Sequence, residues 1–220
     1  KACILKYENE MNIAIRADLG KCAFESYMCE TGLVLSELTY MLKHTRKFSK
    51  ERTVRTPLAH FHSRSYQKPS PYGVTLIMSP WNYPFMLSLD PLVGAIAAGN
   101  CAVLKPSAYA PATSRVLREL VESCFAPDHI AVVEGGRAEN EALLEQKFDY
   151  IFFTGSVAVG RLVMEKAARW LTPVTLELGG KSPNIFFADV MDEEDAFRQI
   201  PERRADLRRA GLCARAQGRS

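Results

Sequence analysis

After Pro71 the chain alternates between short apolar segments and longer segments of helix length, and this alternation limits the possible folds more than any other feature. Five segments have the length of strands: 73–78, 101–105, 130–133, 150–153 and 174–178. Four segments of helix length lie between them: 84–99, 112–125, 137–147 and 157–171. This pattern predicts an α/β fold with a parallel sheet and helical crossovers. Ligands bind such sheets at the carboxyl ends of the strands, so we expect functional residues there.

The segment before the sheet is predicted to be helical. From Lys1 to Lys50 apolar residues recur at three- and four-residue spacing, which indicates two helices with a break near Gly32. Residues 51–70 are polar with scattered prolines and predict a connecting loop. Because the chain starts with Lys1 inside an amphipathic pattern, we expect the natural N-terminus to lie upstream.

Charge and hydropathy exclude two classes of protein. The net charge of +3 comes from residues 196–220, where seven arginines outnumber Glu202 and Asp206, and no aromatic residues lie among these arginines. A nucleic-acid-binding surface is therefore not predicted. No apolar stretch is long enough to span a bilayer, and the chain does not begin with a signal peptide, so a cytoplasmic protein is expected.

The cysteines and histidines do not form a recognisable metal site. The sequence has no C-x-x-C pair, so we predict neither zinc nor a disulfide framework, and we interpret most cysteines as small buried hydrophobes. The six are Cys3, Cys22, Cys29, Cys101, Cys124 and Cys213. His60 and His62 could resemble a metal pair, but a surface loop is the preferred interpretation.

The first functional motif is Ser79–Pro84, which follows a predicted strand and precedes a predicted helix. Asn82 in this motif has two interpretations. It could cap the following helix within a proline-bracketed turn. It could instead donate a hydrogen bond from its side-chain amide to a developing oxyanion.

The second motif is Gly99–Ser107, in which Lys105 ends an otherwise apolar strand just before Pro106. The ammonium group of Lys105 is expected to emerge at the carboxyl edge of the sheet. There it would either be solvated or contact the hydroxyls or phosphate of a bound nucleotide.

The third motif is Phe153–Gly160. Gly155 permits a tight turn, and Ser156 can cap the next helix, which leaves backbone amides available for an anion. The spacing of the glycines is not that of the G-x-G-x-x-G fingerprint, so this motif alone is weakly specific.

The fourth motif is Leu176–Pro183, where Glu177 lies inside an apolar strand. A buried carboxylate is costly unless it is paired, and burial would raise its pKa toward the range of a general base. A buried salt bridge, for example to Lys181, is the alternative interpretation.

In this order the four motifs resemble the aldehyde dehydrogenase superfamily, and 17–21 (Ala-Asp-Leu-Gly-Lys) together with 71–73 resembles its class 3 branch of fatty and aromatic aldehyde enzymes. The resemblance implies a Rossmann-like parallel sheet preceded by helices, with a truncated catalytic domain. The implied division is an N-terminal helical segment and loop at 1–70 and an NAD(P)-binding domain at 71–177. It is followed by the start of the catalytic domain at 178–195 and by an arginine-rich, disordered tail at 196–220.

The resemblance also implies roles for individual residues. Asn82 would stabilise the thiohemiacetal formed when a cysteine thiolate attacks the aldehyde, and Glu177 would activate water to hydrolyse the thioester. Lys105 would contact the adenine ribose of NAD or NADP, and Ala108 stands where the family often has a glutamate that holds the ribose hydroxyls. The remaining implied cofactor contacts are Trp81, Ser107, Thr154, Gly155, Ser156, Val157, Gly160, Leu178 and Gly179. A homodimeric parent enzyme is expected.

The tail departs from the resemblance. Family members have their nucleophile in a Gly-Gln-x-Cys motif soon after the glutamate motif, and Cys213 lacks that context. Read one base later from Arg198 onward, a back-translation of the tail permits a run that includes Gly-Gly-Gln-Thr-Cys at the expected place. We therefore hypothesise a shifted reading frame from about residue 197. Two interpretations remain, an aldehyde dehydrogenase fragment and an inactive cofactor-binding remnant.

Overall fold

In the computed structural model, which describes residues 1–180, the N-terminal part of the chain is helical. The helices are α1 (Ala2–Lys6), α2 (Glu8–Leu19), α3 (Ala23–Ser26) and α4 (Gly32–Phe48), and a π-helical turn (Tyr27–Thr31) joins α3 to α4. The predicted break near Gly32 is wrong, because Gly32 has helical dihedral angles and continues the helix. The break lies at Gly20, whose left-handed φ of 73° ends α2 and lets its amide donate to Arg16 O.

Residues 51–70 are not only a connecting loop. β1 (Arg52–Val54) pairs with β2 (Ser65–Gln67) in an antiparallel ladder, and a 3-10 turn (Leu58–His60) lies between them. The amide of Ser65 donates to Thr56 Oγ1 at the inner end of this pair. All three residues of β1 are exposed, so the pair lacks the apolar alternation that identifies strands in a sequence.

Among residues 1–180, five parallel strands form the main sheet and confirm the predicted α/β fold. They are β3 (Val74–Met78), β4 (Cys101–Lys105), β5 (Ile130–Val132), β6 (Tyr150–Gly155) and β7 (Val174–Leu178). Their order across the sheet is β5-β4-β3-β6-β7, and every neighbouring pair is parallel. After β5 the chain therefore returns to the middle of the sheet, so β3 and β6 are neighbours although β4 and β5 lie between them in the sequence.

Four helices connect the strands of this sheet. They are α5 (Met86–Ala97), α6 (Pro111–Glu122), α7 (Arg137–Leu144) and α8 (Val157–Ala168). Local sequence signals explain several of their ends. Pro111 occupies the first turn of α6, where its missing N–H has no cost, and Gly99 adopts a φ of 85° where the chain leaves α5 for β4.

Apolar side chains cover both faces of the sheet and form two clusters. One cluster joins Ile77 and Leu104 of the sheet to α5, α6 and the N-terminal helices. The other joins Leu76, Met78, Ile151 and Phe153 to α7 and α8. Because α2 packs on α6 and α4 packs on α5, the N-terminal helices share a core with the sheet, and Lys1–Gly179 form one unit.

The cysteines differ from their predicted role. Cys3 of α1 and Cys124, just after α6, form a disulfide bond, and their Cα atoms are 6.8 Å apart. Of the other cysteines in the described part of the chain, Cys22 is exposed and Cys29 and Cys101 are half-buried, so the interpretation as buried hydrophobes is wrong. Within residues 1–180 no helix is long and apolar enough to cross a membrane.

Candidate functional site

The candidate site lies at the carboxyl ends of β3 and β6. The strand order reverses between β3 and β6, because the chain first adds strands on one side of β3 and then on the other. Crevices at such points bind ligands in open parallel sheets. Met78, the last residue of β3, lies beside Phe153 of β6 on one side and Lys105 of β4 on the other. As far as residue 180, the four motifs include or follow the carboxyl ends of β3, β4, β6 and β7, so this topology places them along one edge of the sheet.

The first motif forms the loop between β3 and α5. Its start is fixed to the sheet, because the amide of Ser79 donates to Lys105 O and the hydroxyl of Ser79 is hydrogen-bonded to that of Ser88. Trp81 and Asn82 are exposed, so their side chains are accessible at the sheet edge. The helix-cap interpretation of Asn82 is wrong, because α5 begins at Met86 and its N-cap residue is Phe85.

A carboxylate from a distant element takes the role of that cap. Glu30 lies in the π-helical turn and is completely buried, and its Oε2 atom accepts hydrogen bonds from the amides of Phe85 and Met86 at 2.8 and 3.3 Å. Its Oε1 atom pairs with Lys21 Nζ at 2.8 Å. Sequence reasoning missed this cluster, since 55 residues separate Glu30 from Phe85.

Lys105 is buried, so the interpretation of its ammonium group as solvated at the edge of the sheet is wrong. It is 3% exposed, and its ammonium group donates to Pro106 O at 2.8 Å and to Gly135 O at 2.7 Å. Burial lowers the pKa of Lys105, while the carboxylates of Glu139 and Glu134 oppose that change. The two carbonyl groups satisfy two of its three N–H donors, so one remains for another acceptor.

Ser107 follows Lys105 in the turn that leads to α6. Its hydroxyl accepts a hydrogen bond from the amide of Tyr109, and its carbonyl accepts one from the hydroxyl of Ser114. The start of α6 is held by Asp18, whose carboxylate accepts hydrogen bonds from the amides of Ala112 and Thr113.

The third motif forms a tight turn from β6 into α8. Ser156 is the N-cap residue of α8, and its hydroxyl accepts a hydrogen bond from the amide of Val159 at 3.3 Å. The amides of Val157 and Ala158, in the first turn, have no acceptor within the helix. Gly160 is buried, and a Cβ atom there would lie 2.6 Å from Leu178 Cδ2, so a glycine allows α8 to approach β7 closely.

β7 carries the fourth motif and lies directly beside the third. Glu177 is paired with Thr154 and Leu178 with Gly155, and the amide of Gly179 donates to Gly155 O at 3.2 Å. Glu177 is inside a strand, as predicted, but it is exposed, so its predicted burial is wrong. Within the described part of the chain β7 is the edge strand. Its alternate residues Val174 and Leu176 pack in the cluster with α8, which leaves Glu177 on the opposite face. The alternative partner Lys181 lies outside the described residues.

Thr154 provides a test of whether a dinucleotide suits this edge. Its hydroxyl oxygen is buried and has no hydrogen-bond partner in the described part of the chain. It lies at the end of β6, on the same face as its neighbour Glu177. Buried polar groups are normally paired, so an unpaired hydroxyl at the end of β6, just before the turn into α8, indicates a site for a polar ligand.

The structure thus divides the predicted residues into groups. Thr154, Gly155, Ser156, Val157, Gly160, Glu177, Leu178 and Gly179 form one continuous group on β6, α8 and β7. Trp81 and Asn82 lie on the neighbouring loop after β3. Lys105 and Ser107 are separated from the first group by β3, about 10 Å at the usual spacing of strands.

Comparisons with known proteins agree with this arrangement. The Aldehyde dehydrogenase family matches residues 1–204. The chain belongs to the aldehyde dehydrogenase family. It is 46% identical over 182 residues to 4,4'-diaponeurosporen-aldehyde dehydrogenase of Staphylococcus aureus, an alignment that covers 83% of this chain and 40% of that protein. It is 47% identical over 193 residues to aldehyde dehydrogenase family 3 member A2 of Mus musculus, covering 88% of this chain and 40% of that protein.

Solved structures show the same aldehyde dehydrogenase fold. The substrate-bound state of Staphylococcus aureus AldH matches with a TM-score of 0.81 at 45% identity, over 83% of this chain and 40% of that chain. An aldehyde dehydrogenase of Mycobacterium tuberculosis complexed with NAD+ matches with a TM-score of 0.69 at 30% identity, over 81% and 37%. The class 3-like assignment is therefore confirmed, and the chain spans about 40% of the length of the curated relatives it matches.

Proposed function

We propose that this chain is the cofactor-binding part of an aldehyde dehydrogenase that oxidises an aldehyde to a carboxylic acid with NAD or NADP. The observation that carries the proposal is the unpaired, buried hydroxyl of Thr154 at the point where the strand order reverses. The turn after Thr154 leads into α8, whose first amides suit a phosphate because they combine free N–H donors with the positive end of the helix dipole. The bound dinucleotide would supply the hydride acceptor.

The other cofactor contacts are proposed from their places around this crevice. Gly155 and Ser156 form the turn into α8, and Leu178 and Gly179, at the end of β7, lie beside that turn. Lys105 and Ser107 would hold the far end of the dinucleotide, where Lys105 retains one N–H donor. Ala108 is exposed and offers no carboxylate to the ribose hydroxyls, so both NAD and NADP remain proposed cofactors.

Two side chains are proposed for the chemistry. The exposed amide of Asn82 can donate to an oxygen that gains negative charge during attack on an aldehyde. The exposed carboxylate of Glu177 can accept a proton from water during hydrolysis of a thioester. Both roles require a cysteine thiolate, and the printed sequence contains no Gly-Gln-x-Cys motif.

That missing motif favours a second candidate, a cofactor-binding remnant without dehydrogenase activity. An activity assay tests whether the chain catalyses the reaction by itself. We expect the purified 220-residue chain to form no NADH or NADPH from short or long aldehydes, as followed by absorbance. Turnover that is lost in a Cys213→Ser variant would instead show that Cys213 serves as the nucleophile. The expected cytoplasmic location and the homodimeric parent enzyme stay predictions.

Cofactor binding is tested by titrating the chain with NAD+ and with NADP+ in a calorimeter. The informative variant is Thr154→Val, because it removes an unpaired hydroxyl and no intramolecular hydrogen bond. We expect it to weaken binding by roughly 2–10-fold, the effect of one neutral hydrogen bond, without lowering stability. Thr45→Val, which makes the same chemical change in α4, is the matched control. Equal affinities for all three chains, or no binding by any of them, would refute the proposed site.

A further inference from the structure

Lys21 contacts the loop that carries Asn82 from outside the sheet. Its ammonium group donates to Asn82 O at 2.7 Å and to Glu30 Oε1 at 2.8 Å, and it lies 4.0 Å from the centre of the Tyr83 ring. Its side chain is only 12% exposed. One cation therefore joins the backbone of Asn82 to a buried carboxylate and to the aromatic ring of the next residue.

Glu30 holds the other end of the same loop. The amides of Phe85 and Met86 both donate to its Oε2 atom, and its carboxylate lies at the positive end of the α5 dipole. Lys21 and Glu30 together fix three backbone groups between residues 82 and 86. They leave the side chains of Trp81 and Asn82 exposed.

We propose that Lys21 and Glu30 are positioning residues that set the location of the Asn82 side-chain amide. This inference rests on the proposed function, in which Asn82 donates to an oxyanion. Such donors act only when they are held within a fraction of an ångström, and two loop residues without secondary structure cannot supply that rigidity themselves. A buried ion pair holds one geometry, because breaking it leaves an uncompensated charge.

Asp18 offers an internal comparison, since it lies three residues before Lys21 and anchors a different loop. Its carboxylate accepts hydrogen bonds from Ala112 N and from both the amide and the hydroxyl of Thr113, at the start of α6. If the pair acts on the Asn82 loop specifically, changing Asp18 will disturb α6 and leave that loop in place.

The experiment uses the full 220-residue chain with Trp170→Phe, so that Trp81 is the remaining tryptophan. Acrylamide quenching of Trp81 and the NMR signals of the Asn82 side-chain amide report the loop. Trp81 is 44% exposed, so complete release of the loop can raise the quenching constant by about twofold. The amide of Asn100, which donates to Ala95 O at the opposite end of β4, shows whether the rest of the fold is intact.

We expect Lys21→Met to increase the quenching of Trp81 and to shift the Asn82 amide signals, with Asn100 unchanged. Lys21→Arg keeps the charge and should restore most of both signals, whereas Asp18→Asn should alter neither. If Lys21→Met does not fold, Glu30→Gln decides, because its remaining oxygen can still accept from Phe85 N while its NH2 group cannot accept from Lys21. A folded variant in which Trp81 and Asn82 do not change, or an equal change in Asp18→Asn, would overturn the inference.

Cofactor titration of the unaltered chain keeps this result separate from the proposed function. If the unaltered chain does not bind the dinucleotide, the proposed cofactor site is refuted, whatever the loop does in the Lys21 variants. Intact binding together with an unresponsive loop would refute only the positioning role.

Discussion

Asp90 gives a prediction whose size and pH dependence both follow from its surroundings. It lies in α5 next to Pro91, and its Oδ1 atom is buried with no hydrogen-bond partner in the described part of the chain. Burial, and to a smaller extent the nearby carboxylate of Glu37 on α4, raises the pKa of Asp90 from 3.8 to about 6. An ionised Asp90 therefore destabilises the fold at neutral pH.

The magnitude follows from the two pKa values. At pH values between 3.8 and about 6, Asp90 is protonated in the folded chain and ionised in the unfolded chain. The free energy of unfolding therefore falls as the pH rises through this range. A difference of about two pH units corresponds to about 3 kcal/mol. Because Asp90 is only half-buried and water screens part of its charge, we expect about 1–2 kcal/mol.

The variant is Asp90→Asn, which has nearly the same shape and stays neutral at every pH. We expect it to be about 1–2 kcal/mol more stable than the parent chain at pH 7 and of similar stability at pH 3, where Asp90 is protonated in both states. Urea unfolding at a series of pH values between these limits measures the difference. A gain that does not vary with pH, or no gain at pH 7, would refute the reasoning. Glu37→Gln should give a smaller gain, since burial is the larger cause.

Three further predictions concern other parts of the chain. Gly155→Ala places a Cβ atom 2.6 Å from the ring of buried Phe153 and should lower the free energy of unfolding by about 1–3 kcal/mol, as measured by thermal unfolding. Gly94 in α5 has open space around it, so Gly94→Ala should stabilise the fold by up to about 1 kcal/mol. Asp18→Ala removes three hydrogen bonds at the start of α6 and should cost about 1–2 kcal/mol, as measured by urea unfolding. Resequencing the gene should reveal a single-base shift near codon 197 that restores Gly-Gln-Thr-Cys; an intact frame there would contradict the hypothesis.

The strands and crossover helices could be predicted from the sequence because their signals are local. Apolar runs of strand length recur between segments of helix length, and Pro111 and Ser156 mark helix starts within a few residues. The prediction of a break at Gly32 was wrong because tertiary contacts, which are not local, decide where a glycine turns. A glycine permits a left-handed turn without requiring one, and tertiary packing kept Gly32 helical while Gly20 turned.

The environments of the site residues could not be predicted in the same way. Lys105 ends its strand where expected, but Gly135, 30 residues away, supplies the carbonyl that holds its buried ammonium group. Glu177 lies in its predicted strand, yet its side chain is exposed on β7, the edge strand of the sheet that residues 1–180 form. Burial depends on which distant segments cover a residue, and a single sequence carries no direct signal for that.

The sequence by itself determined the alternation of strands and helices, the family, and the four motifs at the carboxyl ends of strands. Only the tertiary structure decided that β3 lies beside β6, which brings the Asn82 loop next to the turn into α8. It also brought Lys21 and Glu30 to that loop from the N-terminal helices. The physical reason is that backbone preferences and apolar periodicity act over a few neighbouring residues, whereas strand order and buried ion pairs join residues that are far apart in the chain.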